Sequence, residues 1–134
     1  MRNRAFRLLA SAVAGLWLIP CGGCGSGTVA RGPMVPVKGK VTYKGKPMTV
    51  GTVRFEPDGY GRMASGKIQP DGTFVLNTLK EGDGVAIGHH RVFVTDVEKS
   101  LTKDRNFKKY MGAATSKVEV DVDSEHTEFP LDLK

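Results

Sequence analysis

The stretch Val35-Pro36-Val37-Lys38-Gly39-Lys40-Val41-Thr42-Tyr43 decides the fold class. Val35, Val37, Gly39, Val41 and Tyr43 alternate with Pro36, Lys38, Lys40 and Thr42. A period of two puts successive side chains on opposite faces of a strand, so this is a half-buried strand. Lys44-Gly45-Lys46-Pro47 then turns the chain. Thr52-Val53-Arg54-Phe55-Glu56-Pro57 reads as a second strand with Val53 and Phe55 on one face. Asp58-Gly59-Tyr60-Gly61 is a loop, and a weaker strand is expected over 63–68. Pro70-Asp71-Gly72 is a strong turn signal leading into Thr73-Phe74-Val75-Leu76. Glu81-Gly82-Asp83-Gly84 turns again, and 85–87 leads into His90-Arg91-Val92-Phe93-Val94. Two strands, over 117–122 and 127–133, close the chain. Short strands at this spacing predict an all-β sandwich or barrel. The expected core is Val37, Val41, Val53, Phe55, Ile68, Phe74, Leu76, Val92, Val94, Val118, Val120, Leu131 and Leu133.

The rhythm breaks over 96–116, a segment poor in apolar residues that carries Lys99, Lys103, Arg105, Lys108 and Lys109. Connections that long are uncommon in compact domains and tend to be functional. A short helix over 97–103 fits part of it. The rest reads as a solvated crossover between two sheets, or as a lid with Phe107 and Tyr110 buried. The Tyr60 loop is the other candidate contact surface.

Composition agrees with a single turn-rich β domain. Of 134 residues 17 are Gly, aromatics make up 7%, and 40% are hydrophobic. That excludes a disordered acidic tail and a protein with many membrane spans. The formal net charge is +6, but its excess is concentrated at the N-terminus, where Arg2, Arg4 and Arg7 precede the first acid, Glu56.

An apolar run over 8–19 follows those arginines and leads into Leu18-Ile19-Pro20-Cys21-Gly22-Gly23-Cys24-Gly25-Ser26-Gly27. A basic head and about a dozen apolar residues form the pattern of a secretory signal, too short to span a bilayer comfortably. A Cys after that run, followed by small residues, resembles a bacterial lipoprotein lipobox, which implies cleavage before the Cys and lipid on it. Cys24, preceded by Gly23, is the expected lipid attachment site. Cys21 is the alternative, with Leu18 three positions earlier but Pro20 at the cut. The expected organisation is a lipoprotein signal peptide over 1–23 in helical form, a flexible tether over 24–34, and a domain over 35–134. Removal of 1–23 leaves 17 cations against 14 acids, an ordinary balance that does not argue for nucleic acid. A redox C-x-x-C pair sits poorly between glycines in a linker. No Cys follows Cys24, so the domain is expected to hold together by burial, without a disulfide.

Three sites invite a sharper chemistry. His89 and His90 are adjacent, and adjacent strand residues face opposite ways, so they are not expected to share a metal. One is expected in the core and one outside; His126 is the third His. Glu119, Asp121, Asp123 and Glu125 alternate with Val118, Val120 and Val122 and read as the wet face of a strand rather than a calcium cluster. No Ser nucleophile stands with a placed His and acid. The expectation is therefore a protein without enzyme activity, metal or cofactor.

The order Val37-x-Gly39-x-Val41-Thr42-Tyr43-x-Gly45-Lys46-Pro47, then Val53-x-Phe55-x-Pro57, then Gly66-x-Ile68-x-x-Asp71-Gly72-x-Phe74-x-Leu76 resembles a carboxypeptidase regulatory-like domain. Gly82-Asp83-Gly84, Gly88-x-His90-x-Val92, Val118-x-Val120 and Phe129-x-Leu131-x-Leu133 continue the likeness, in the version carried by small planctomycete-type lipoproteins. The resemblance covers residue 35 to the C-terminus. It implies a seven-stranded, transthyretin-like (Ig-like) antiparallel sandwich. Some transthyretin-like proteins hydrolyse 5-hydroxyisourate and end in a Tyr-Arg-Gly-Ser segment. Phe129-Pro130-Leu131-Asp132-Leu133-Lys134 does not match it. The expected function is a lipid-anchored cell-envelope module, facing the periplasm or exterior, with a binding or structural role. Its expected partners are the membrane through the lipid and an envelope protein or polysaccharide. A transthyretin-like hydrolase and a carbohydrate-binding module are the alternatives.

Overall fold

The computed structural model describes residues 32–134. The expected signal helix, Cys21, Cys24 and most of the tether lie outside the described residues. Among the described residues no helix is long and apolar enough to cross a membrane.

The chain enters through β1 (Met34–Val35) and continues into β2 (Val37–Tyr43), the strand of the opening motif. Short β3 (Lys46–Pro47) leads to β4 (Thr52–Pro57), β5 (Ala64–Lys67) and β6 (Thr73–Leu76). After β7 (Val85–Ala86) and β8 (Gly88–Thr95) come two short helices, α1 (Lys99–Lys103) and α2 (Arg105–Lys108). The chain closes with β9 (Val118–Val122) and β10 (Glu128–Leu133). Seven of these ten strands have four or more residues.

The strands form two four-stranded sheets that share one core, plus the small pair β1–β7. In one sheet β2 pairs with β10 along one edge, and with β6 and β3 along the other. The other sheet runs β5-β4-β8-β9. Reciprocal backbone bonds between Ser65 and Asn77 stitch the two sheets where β5 and β6 meet.

The pairing is antiparallel everywhere but one place, which corrects the expectation of a wholly antiparallel sandwich. β10 lies parallel to β2, from Glu128 opposite Lys38 to Leu133 opposite Tyr43. A parallel pair needs a long crossover. Here most of the domain lies between the two strands, so β10 enters from the same end as β2.

Inward positions follow the alternation. Val37, Val41, Val53, Phe55, Ile68, Phe74, Leu76, Val92, Val94, Leu131 and Leu133 are all buried. Val118 and Val120 are only half-buried, a correction to the expected core, because β9 is an edge strand whose buried side chain is Val122. Gly39 marks the closest approach inside the β2 sheet. A Cβ there would run into the Phe129 carbonyl oxygen and stand 2.6 Å from Phe74 Cζ. The Phe74 ring occupies the space the missing side chain leaves, an aromatic over a glycine on the neighbouring strand. Phe55 then packs on Phe74, Phe129 and His90 with ring centroids 6.4, 5.8 and 6.0 Å away.

Register divides the loops between two poles. The pole where the chain enters carries the Tyr60 loop, the 77–84 turn and the 123–127 turn. The opposite pole carries the turns 44–50 and 69–72 and the segment 96–111. Along the seven residues of β2 the poles stand about 20 Å apart.

Candidate functional site

The segment 96–116 is the site that the sequence singled out and the one the structure builds most fully. It is not an open crossover. α1 and α2 cover much of its first half, and Phe107 on α2 is fully buried in the core. The Phe107 ring meets Tyr43 edge-on, with centroids 5.0 Å apart, and Tyr110 at 6.1 Å. Tyr110 is half-buried; its hydroxyl donates to the Lys134 carbonyl (2.8 Å) and accepts from the Lys134 N–H (3.1 Å). Between the solvated crossover and the lid, the packing of Phe107 is that of a lid.

The lid also completes a sheet edge. β9 pairs with β8 only from Gly88 to Val92, leaving the end of β8 without a strand on that side. The Val94 N–H donates instead to the Tyr110 carbonyl (2.8 Å), and the buried Ser116 hydroxyl donates to the Val92 carbonyl. Buried backbone groups need such partners, and the segment supplies them.

Asp104 pins the lid to β2. One carboxylate oxygen accepts from the Tyr43 hydroxyl (2.8 Å) and from Lys44 Nζ (3.0 Å). The other accepts from the Asn106 N–H (2.9 Å) and caps α2. These hydrogen bonds, Tyr43 first, hold the Asp104 carboxyl at a pKa of about 2, below its ordinary 3.8. Burial and the Asp104 carboxylate raise Tyr43, and Asp104 raises Lys44.

A carboxyl whose pKa falls on folding stabilises the fold above its unfolded value. That contribution is present above about pH 4 and is lost as pH falls towards about 2. Asp104→Asn is expected to flatten the pH dependence of stability in that window and to lower stability at neutral pH. Denaturant unfolding at a series of pH values checks it. An unchanged slope between pH 4 and 2 would remove Asp104 from the lid's anchorage.

The cations of the segment point outward. Lys99, Lys103, Arg105, Lys108 and Lys109 are all exposed, and Lys109 Nζ lies 4.9 Å from the centre of the Tyr110 ring. Lys44 and Lys46 are exposed on the adjoining turn.

The other candidates are separated by the fold. His89 is exposed: its Nδ1 lies 2.7 Å from Asp121 and its Nε2 3.5 Å from Glu119, which also pairs with Arg91 at 3.6 Å. The Asp121 hydrogen bond raises the His89 pKa. His90 faces the other way and is buried, with Nε2 2.8 Å from the Ala86 carbonyl. Burial lowers its pKa and favours the neutral ring; the Ala86 carbonyl can only accept, so Nε2 carries the proton and donates. Its Nδ1 has no hydrogen-bond partner among the described residues.

The four acids do not form one wet face, which corrects that reading. β9 ends at Val122, and Asp123 turns back to accept from the N–H groups of Glu125 (2.7 Å) and His126 (2.6 Å). Asp123 raises the His126 pKa through a 2.8 Å contact. Among the described residues no three His, Cys, Asp or Glu converge as metal ligands.

Two features escaped the sequence reading. The Tyr43–Lys44–Asp104 cluster joins residues 60 and 61 positions apart. Its only local signal is Asp104 two residues before Asn106, a helix-capping pattern. The second is an open groove of about 710 Å³ where β5 and β6 meet, lined by Ser65, Gln69, Thr73, Asn77 and Thr78 among others. Tyr60 is fully exposed at the other pole from the lid.

No protein-family model, curated protein or solved structure matches the chain.

Proposed function

We propose that this chain is a non-catalytic, lipid-anchored module of the bacterial cell envelope, held by Cys24 and folded as a seven-stranded transthyretin-like sandwich of the carboxypeptidase regulatory-like kind. The observation that carries the reading is the basic head and apolar run ending at Cys21-Gly22-Gly23-Cys24, with a glycine-rich stretch before the domain begins. The domain starts at one pole, which suits suspension from a membrane by its N-terminal end. A second reading, a carbohydrate-binding module, draws on the β5–β6 groove, whose hydroxyl and amide side chains match the hydrogen-bonding chemistry of sugars.

The intact protein, expressed in a lipoprotein-processing bacterium, is expected to fractionate with membranes and to take up labelled fatty acid. Cys24→Ser is expected to abolish labelling and Cys21→Ser to leave it. The reverse pattern moves the anchor to Cys21. Labelling that persists when both are serine overturns the lipoprotein reading.

A further inference from the structure

Among the described residues the two poles carry opposite charge. At the lid pole seven exposed cations, on the 44–50 turn and on 96–111, outnumber the carboxylates Asp71, Asp96, Glu98 and Asp104. Those carboxylates are mostly occupied within the fold. Asp104 holds Tyr43, Lys44 and Asn106; Asp96 accepts from Thr95 (3.0 Å) and faces Arg54 (3.8 Å); Asp71 accepts from Thr73 (2.6 Å). Lys103, Arg105 and Lys108, by contrast, enter no ion pair among the described residues. At the entry pole the balance reverses: Asp58, Glu81, Asp83, Asp123 and Glu125 outnumber Arg62 and Lys80.

We infer that the lid pole is a docking surface for an anionic polysaccharide of the envelope. The inference rests on the reading that the N-terminus anchors the chain to a membrane. Three observations choose this partner. The free cations are strung along α1, α2 and the residue after them, so they suit a linear polyanion with spaced charges rather than one small anion. Phe107 and Asp104 hold the segment against the core, so the cations stand on an ordered platform and binding need not order a loop. The platform lies at the pole away from chain entry, so the domain presents it outward. The acidic entry pole is repelled by an anionic headgroup surface, which favours the same orientation.

The test uses the purified full chain in neutral detergent on polygalacturonate beads, with neutral dextran beads and beads bearing glycerophosphate, a phospholipid headgroup without acyl chains, as the other arms. Retention on polygalacturonate is expected to exceed both and to weaken as salt rises. Replacing Lys103, Arg105, Lys108 and Lys109 together with Ser is expected to cut retention about tenfold or more at low salt, with the melting temperature nearly unchanged. Glu81→Gln with Glu125→Gln, at the other pole, is expected to leave it unaltered. Equal retention on dextran, salt-independent retention of the unaltered chain, or an undiminished quadruple variant overturns the inference. Tighter binding to the glycerophosphate beads than to polygalacturonate overturns the polysaccharide as partner. Bead retention does not depend on fatty-acid labelling, so failure here and failure of the anchor reading are told apart.

Discussion

Replacing Phe107 with Ala is expected to lower the stability of the domain by about 3–5 kcal/mol, the cost of emptying a fully buried aromatic site. The ring is wedged between Tyr43 and Tyr110, so its loss leaves a cavity lined by residues from β2 and from the lid itself. The consequence is also local. The lid supplies the partners for Val94 N–H and the Val92 carbonyl, and a loosened lid exposes both to exchange. Denaturant unfolding measures the stability. Hydrogen exchange at Val94 and limited proteolysis within 96–116 report the local opening. A loss below about 1 kcal/mol with unchanged exchange at Val94 would mean that the lid does not depend on its buried aromatic side chain.

Phe55→Ala is expected to cost a similar amount, about 3–5 kcal/mol, with a different signature. Phe55 has no exposed surface and touches rings from three other strands, Phe74 on β6, Phe129 on β10 and His90 on β8. It therefore joins the two sheets, and its removal weakens the whole sandwich instead of one segment. Global unfolding measured by circular dichroism and by tryptophan-independent probes such as urea-gradient mobility is expected to shift together. A loss under about 1 kcal/mol would place the inner face of β4 wrongly. Protection is expected to fall together across the strands of both sheets in this variant, whereas in Phe107→Ala the loss at Val94 exceeds that at strand positions away from the lid.

Much of the fold was legible because a strand writes its facing into the order of residues. Val53 and Phe55 had to share a face, and so did Val37 and Val41; the structure buries all four. The same parity separated His89 from His90 correctly. It failed at the margins. Val118 and Val120 obey the alternation of β9, yet that strand lies at a sheet edge and its inner face is only partly covered. Asp123 and Glu125 continue the alternation by eye, but the strand stops at Val122 and a side-chain-capped turn takes over. Periodicity carries no information about where cover runs out. The lid was harder still. Phe107 stands among lysines, and Tyr110 and Met111, three and four residues on, are its only apolar neighbours at helical spacing; so short a signal left a lid and a solvated crossover both open.

By itself the sequence determined the all-β class, the turns between most strands, and which side chains of each strand face inward. These follow from backbone geometry that every short segment carries on its own. Only the tertiary structure decided that β10 returns parallel to β2, that Asp104 reaches Tyr43 and Lys44, and that Phe107 closes the core while the cations around it face outward. Those outcomes depend on which distant segments compete for the same strand edge and the same cavity. That competition is settled by packing and by hydrogen-bond satisfaction across the whole domain.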